Sequence, residues 1–375
     1  MNLPSVEDIT AKLAEVIDPE IRRPITELGM VRSIKIAAPS KAIIGIDLTT
    51  AGCPLRETIS TDVKNALLSF AEISEVEVEI GVMNDEQRAK LKEMLRGGTP
   101  ERAIPFAKPG NLTQVYAISS GKGGVGKSSM TVNLATAMAR SGLKVGIVDA
   151  DIYGFSIPQM MGITTPPQIV DSMIIPPVAH DVKVISIGMF IAENTPVVWR
   201  GPMLHRALEQ FFADVFWGDL DVLLIDLPPG TGDIAISVAQ LIPNAEIVVV
   251  TTPQAAAAEV AERAGMMAKQ TEQRVVGVIE NMSYLITPDG GRMELFGKGG
   301  GQTLSTQLSA LLGYEVPLLA QIPIEQALRE GGDCGIPLAI SDQDSPAGDE
   351  ITQTAQKLAN RTRGLSGRSL SVSPL

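Results

Sequence analysis

Cysteine and histidine are almost missing from this chain: its 375 residues include two of each, Cys53, Cys334, His180 and His205. Two cysteines cannot build a disulfide framework, and they suit a reducing compartment. Two histidines without an accompanying Cys/Asp cluster give no zinc site and no hydrolase triad, so both read as surface or packing residues. Basic residues are outnumbered by acidic ones, 31 against 43, for a formal net charge of −12. That balance argues against a general nucleic-acid binder, which needs a basic face to displace phosphate counterions. No apolar run reaches the roughly 18 residues that a membrane helix needs. Met1–Glu20 is acidic and lacks the charged-then-apolar order of a signal peptide. The expectation is a cytoplasmic protein with neither a nucleic acid nor a membrane as partner. The length allows two domains, and 45% hydrophobic residues allow a sizeable core.

What the chain does have is Gly121-Lys122-Gly123-Gly124-Val125-Gly126-Lys127-Ser128, followed by Ser129. It fits the phosphate-binding loop G-x-x-x-x-G-K-[ST]. The context fits too: Thr113–Ser119 reads as a buried strand and Met130–Arg140 as a helix. Glycines let the backbone N–H groups curl around a phosphate, and the following helix adds its positive N-terminal end. The spacing assigns Lys127 to the β- and γ-phosphates of ATP and the Ser128 hydroxyl to Mg²⁺. Lys122 is a second lysine that an ordinary loop of this kind does not need. With it, the loop resembles the deviant class that includes the MinD, ParA and nitrogenase iron-protein ATPases. In that class the extra lysine crosses a dimer interface to the partner's nucleotide.

Four further strand ends carry candidate residues. Asp226 closes the apolar run Val222-Leu223-Leu224-Ile225, the Walker B arrangement for holding Mg²⁺ directly or through water. It opens Asp226-Leu227-Pro228-Pro229-Gly230-Thr231-Gly232-Asp233, a restrained loop whose Gly230 N–H is placed to sense a γ-phosphate. Asp149-Ala150-Asp151 ends another strand; Asp151 is the candidate to orient the attacking water, with Asp149 supporting the metal from further away. Asn281 is a candidate to read the adenine edge, and Pro323 to wall the base.

Residues up to about Arg96 read as a small α+β domain. Ser5 and Asp8 form a capping box, and Val6, Ile9, Leu13, Val16 and Ile17 line one helix face. Met30–Ile36 and Ala42–Thr49 read as strands, Ile59, Val63, Ala66 and Leu67 mark a helix, and Val76, Val78 and Ile80 alternate as in a half-buried strand. Residues 97–111 read as a linker. From residue 112 to 360, apolar strands alternate with helices (Lys144–Asp149, Lys183–Ile187, Asp221–Asp226, Glu246–Thr251, Arg274–Glu280, Val316–Gln321). The expected fold is α/β, a doubly wound and mostly parallel P-loop NTPase sheet behind the small domain. Its ligands belong at the carboxyl ends of the strands. Residues 361–375 are Ser/Arg/Gly-rich and read as a disordered tail.

Over residues 5 to 360 the chain resembles the Mrp/ApbC-type iron–sulfur cluster carrier ATPases. The motifs that carry the resemblance are the P-loop, Asp149-Ala150-Asp151-Ile152-Tyr153-Gly154, Trp199-Arg200-Gly201-Pro202-Met203, the Asp226–Asp233 loop, Glu280-Asn281-Met282-Ser283, Phe296-Gly297-Lys298-Gly299-Gly300-Gly301 and Glu330-Gly331-Gly332-Asp333. In the small domain they are Ile17-Asp18-Pro19-Glu20 and Thr50-Ala51-Gly52-Cys53-Pro54. This half is similar to a domain found alone in iron–sulfur assembly factors. The resemblance implies an ATP-binding homodimer, slow hydrolysis and delivery of Fe–S clusters to apoprotein clients.

One departure stands out. Such carriers usually have Cys-x-x-Cys shortly after Glu-Asn-Met-Ser, so that two subunits supply four thiolates to one cluster. Here the segment is Tyr284-Leu285-Ile286-Thr287-Pro288-Asp289-Gly290-Gly291-Arg292, without cysteine. The usual four-thiolate site therefore cannot form. Cys53, between Gly52 and Pro54, is the remaining candidate Fe–S ligand, and the alternative for it is a small buried hydrophobe. Cys334 reads as structural. Two other functions stay open at this point: a MinD/ParA-like positioning ATPase, against which the acidic balance counts, and a metal-free nucleotide-gated adaptor for client proteins.

Overall fold

The strands Val222–Asp226 and Val275–Glu280 are apolar up to a closing acid, and every residue of both is buried. Runs of this kind need cover on both faces, which a parallel sheet flanked by helices provides. In the computed structural model they lie in one eight-stranded sheet. Its order is Leu318–Gln321, Val275–Glu280, Glu246–Thr251, Gln114–Ser120, Val222–Asp226, Val145–Asp149, Val182–Ser186 and Val178–Ala179. All pairings are parallel except that of the last, short edge strand. The structure describes residues 4–37, 40–49, 55–96, 103–108, 110–152, 154–171, 173–190, 201–230, 232–254, 257–341 and 344–361. Cys53, Trp199-Arg200 and the tail after Arg361 lie outside them.

From Gln114–Ser120 the chain first builds outward to Val145–Asp149 and Val182–Ser186. It then returns to Val222–Asp226 and builds the other way. Right-handed crossovers in two directions place helices on opposite faces, which is the doubly wound fold. Lys127–Arg140 packs against Pro346–Ala359, and Ala257–Thr271 against Gly300–Leu312. The strand positions expected from sequence agree to within one or two residues. The helix after the P-loop begins earlier than expected, at Lys127 instead of Met130. Its first turn lies inside the motif itself, so apolar periodicity does not mark it.

The chain divides into two compact units, and the smaller is discontinuous: it joins Met1–Glu101 to Pro167–Pro177 and Asp214–Gly218. Its sheet pairs Val31–Ala37 antiparallel to Lys41–Leu48, which runs parallel to Glu75–Val82. The helix Val6–Leu13 starts with a capping box in which Asp8 N–H donates to Ser5 Oγ at 3.1 Å and Ser5 N–H to Asp8 Oδ2 at 3.0 Å. Ile9 and Leu13, with Ile59, Val63 and Leu67 of the helix Arg56–Leu67, form the core over this sheet. A hairpin of Gln168–Val170 and Met173–Ile175 adds Val170, Met173 and Ile175 to the same core. Sequence reading gave no sign of that addition, because the hairpin lies some seventy residues beyond the small unit's last helix, Asp85–Arg96.

Candidate functional site

Register sets the site. Asp226 pairs with Asp149, and Asp149 with Ser186, so three adjacent parallel strands end level with one another. Across from them the P-loop turns into its helix at Gly126, whose φ of +81° is left-handed. A Cβ at this position would also stand 2.2 Å from Asn281 Nδ2. Glycine is therefore required here for two reasons, the backbone conformation and the close approach.

Lys127, Ser128 and Asp226 meet directly. Lys127 Nζ donates to Asp226 Oδ2 at 2.7 Å and Ser128 Oγ donates to the same oxygen at 2.6 Å. Asp226 is fully buried and Lys127 is 6% exposed. Asp151 Oδ2 stands 3.9 Å from Lys127 Nζ, and the other oxygen of Asp151 accepts the Gly154 N–H at 3.1 Å. The carboxylate is thus held by one oxygen and presents the other toward the cluster. Asp149 accepts from the Asp151 N–H at 3.1 Å and from the Ser186 hydroxyl at 3.0 Å. Burial, and then the charge of Asp226, push its carboxyl up to about 8, while these hydrogen bonds and Lys127 oppose the rise. The net direction favours the neutral acid at Asp149.

Two members of this cluster escape motif reading. Thr131 Oγ1 donates to Asp226 Oδ1 at 2.7 Å and also lies 3.1 Å from the Lys127 carbonyl. It sits one helical turn beyond Lys127, and that spacing is the signal that finds it. Ser186 is found by its level with Asp149 at the end of the neighbouring strand.

Around the loop, Asn281 lies beneath the glycines. Its Nδ2 donates to the Val125 carbonyl at 3.0 Å, and its buried Oδ1 has no hydrogen-bond partner. Pro323 follows the neighbouring strand in a segment pinned by Ile322 N–H on the Glu280 carbonyl at 2.8 Å. Lys122 donates to Gln254 Oε1 of its own chain. Ser129 is half-buried, and its carbonyl accepts from Asn133 Nδ2 at 2.8 Å. Gly230 differs from expectation: its N–H donates to the Ser120 carbonyl at 2.8 Å, with φ at +93°. Phosphate sensing by that N–H requires this bond to break first.

The arrangement suits a nucleotide and a hard cation. A hydroxyl and a carboxylate sharing one spot match the oxygen donors that Mg²⁺ takes. The unpartnered Asn281 oxygen suits an amine donor such as that of adenine. A bound Fe–S cluster is a different matter. Among the described residues no group of three or more His, Cys, Asp or Glu stands ready to hold a metal ion. Cys334 is exposed at the end of the helix Gln326–Cys334, and Cys53 lies outside the described residues. The two cysteines of one chain do not amount to a four-thiolate site.

Comparison with known proteins agrees with this geometry. Residues 111–359 match the family model described as NUBPL iron-transfer P-loop NTPase, and residues 6–80 match that of the iron–sulfur cluster assembly protein. The chain is 59% identical to an iron–sulfur cluster carrier protein of Mycobacterium leprae, over 98% of this chain and 96% of the relative. It is 41% identical to one of Bacillus subtilis, over 94% and 97%. A solved nucleotide-binding protein of Archaeoglobus fulgidus in complex with ADP is 38% identical, with a TM-score of 0.50, over 59% of this chain and 86% of that one.

Proposed function

The chain belongs to the NUBPL-type iron-transfer P-loop NTPase family, and from that premise we propose an ATP- and Mg²⁺-dependent homodimer that delivers iron–sulfur clusters to apoproteins in the cytoplasm. The observation that carries the nucleotide chemistry is the convergence of Lys127 and Ser128 on Asp226. Mg²⁺, when bound, neutralises phosphate charge and shares its oxygen ligands with the nucleotide. Ser128 and Asp226 are the residues to hold it. Lys127 turns from the carboxylate to the β- and γ-phosphates, which offer more negative charge than Asp226 does. Asp151, one oxygen of which accepts the Gly154 N–H, turns the other toward Lys127 and is the residue to orient water at the γ-phosphate. Asn281 Oδ1 gains its missing donor from the adenine amine, with Pro323 against the ring. The main-chain N–H groups of Gly121 to Ser129 supply the cradle.

Hydrolysis is slow in this reading. In a single subunit Lys122 is bonded to Gln254 and is not available to the reacting phosphate. In the dimer it serves the partner's nucleotide, so the transition state gains its full positive charge only on association. The cluster is cargo, and Cys53 is the proposed thiolate of the small unit. No described helix is long and apolar enough to cross a membrane.

The test pairs hydrolysis with delivery. Lys127→Ala should abolish ATP turnover, and Asp226→Ala should remove its Mg²⁺ dependence. Both should slow anaerobic cluster transfer to an apoprotein acceptor. If both variants turn over ATP like the parent, the site assignment is wrong. If transfer is unaffected while turnover is lost, nucleotide does not drive delivery.

A further inference from the structure

Phe296-Gly297-Lys298-Gly299-Gly300-Gly301 takes no part in the chemistry described so far, yet its glycines have a definite place. Gly300 starts the helix Gly300–Leu312 directly against the chain that follows Glu246–Thr251. A Cβ on Gly300 would stand 2.6 Å from the Pro253 carbonyl oxygen and 2.8 Å from that of Thr252. Only glycine allows this approach, since both neighbours are backbone. It brings the positive end of the helix up to two carbonyl oxygens. The buried Glu280 carboxylate fixes the same helix start: it accepts the Gly301 N–H and, at 2.7 Å, Gln321 Nε2. Residues 252–254 thus rest on a fixed seat.

What this seat presents is Gln254, the acceptor for Lys122 Nζ. Further along the same stretch, Val260 packs against the first glycine of the P-loop: a Cβ on Gly121 would stand 2.5 Å from Val260 Cγ2. Two consecutive P-loop residues are therefore met from one stretch of chain, Gly121 by Val260 and Lys122 by Gln254. Lys122 is half-buried and Gln254 is exposed. Their bond lies at the surface, where it opens without leaving a buried group unpaired.

We propose that Gln254 is a positioning residue for Lys122, a latch that holds the lysine on its own subunit until the partner's nucleotide takes it, and that the glycine run 297–301 seats this latch. The inference rests on the reading of Lys122 as acting on the partner's nucleotide. The chemistry of the acceptor suits a latch. The Gln254 amide oxygen carries no net charge, whereas a phosphate oxygen does, and a hydrogen bond to a charged acceptor is about twice as strong as one to a neutral acceptor. Lys122 therefore leaves Gln254 for a phosphate. A carboxylate at position 254 would compete with that phosphate, and an apolar side chain would leave the lysine unheld. Opening the latch is a cost of association. Gln254 thus sets the protein concentration at which hydrolysis begins, not the rate of the complete dimer.

ATP hydrolysis per subunit, measured against protein concentration on the full chain, tests this. Gln254→Leu should lower the concentration of half-maximal activity by about threefold or more, with the rate at saturating protein near the parent's. Gln254→Glu should raise that concentration by about threefold or more. Gly300→Ala, whose methyl group pushes against the Pro253 carbonyl, should act as Gln254→Leu does. If Gly300→Ala does not fold, the two Gln254 variants decide. In a Lys122→Ala background Gln254→Leu should have no effect, because the latch has nothing to hold. Unchanged concentration dependence in both Gln254 variants overturns the proposal, as does a parent rate per subunit that does not vary with concentration. A loss of rate at saturating protein in Gln254→Leu also overturns it, as does an equal effect of that variant with and without Lys122. Hydrolysis by Lys122→Ala at the parent's rate overturns the reading of Lys122 itself, and this inference with it.

Discussion

Thr131 Oγ1 donates to Asp226 Oδ1 at 2.7 Å, while the other oxygen of that carboxylate receives Lys127 and Ser128. In the proposed function Lys127 and Ser128 both have ligands of their own to take, phosphate and metal. Thr131 has none, so its hydrogen bond is the one that remains to orient Asp226 in the loaded state. A buried hydrogen bond to a charged acceptor contributes about 1.5–3 kcal/mol. Thr131→Val should weaken Mg²⁺-dependent ATP binding by about tenfold or more. Affinity measured in EDTA should stay near that of the parent, and Thr131→Ser should restore the rest. Calorimetric titration with and without Mg²⁺ checks this; an equal loss under both conditions would mark a packing defect instead.

Gly126→Ala should eliminate nucleotide binding. The added methyl group meets both a φ of +81° and the Asn281 amide at 2.2 Å. The strain is of order 1–3 kcal/mol for the backbone alone, before the clash. Far-UV circular dichroism should be unchanged, because the displaced segment is a loop at the carboxyl end of a central strand. Wild-type affinity in this variant would mean that the loop is not held as described.

Asp149 gives a pH dependence with a defined sign. Its carboxyl titrates near about 4 in an unfolded chain and at about 8 when folded. Between these values the folded state binds the extra proton, so stability of the nucleotide-free protein falls as pH rises from about 4 to 8 and levels off above. Asp149→Asn keeps an acceptor for the Asp151 N–H and a partner for Ser186, and it carries no charge. The variant should lose this slope and melt several degrees above the parent at about pH 8. Thermal melts across that range decide. Parallel parent and variant curves would show that Asp149 is ionised throughout.

Lys122 in the described chain contacts Gln254, not the P-loop cluster. Lys122→Ala should leave thermal stability within about 0.5 kcal/mol, as expected of a partly exposed loop lysine. It should slow ATP hydrolysis. Mixing it with Asp151→Asn should recover part of the activity, because each mixed dimer retains one complete site. Absence of recovery at every mixing ratio would place Lys122 in its own subunit's site.

Much of the nucleotide site is legible in the sequence because it depends on local features. The P-loop is a contiguous motif, and Asp226 and Asp149 each end an apolar run that has one physical meaning, a buried strand. Thr131 and Ser186 needed one further step, helical spacing for the first and strand register for the second. Gln168 was not legible. Its partners Glu20 and Thr49 lie more than a hundred residues away, and nothing local distinguishes a hairpin that joins another unit's core from one that stays with its own. The Ser120 partner of the Gly230 N–H was not legible for a related reason: a glycine-rich loop shows freedom to turn, and only the fold shows that the turn brings it to the Ser120 carbonyl.

Delivery of iron–sulfur cargo by a chain with two cysteines is the central claim, and anaerobic reconstitution followed by iron and sulfide quantitation tests it most directly. Bound iron and sulfide are expected in the parent, with absorption at roughly 400 nm from thiolate-to-iron charge transfer. Cys53→Ala should abolish both, and Cys334→Ala should retain them. The cargo should be lost readily in air, since two subunits supply only two Cys53 thiolates. A parent protein that takes up no iron or sulfide would contradict the account and leave an ATPase that gates client proteins without metal.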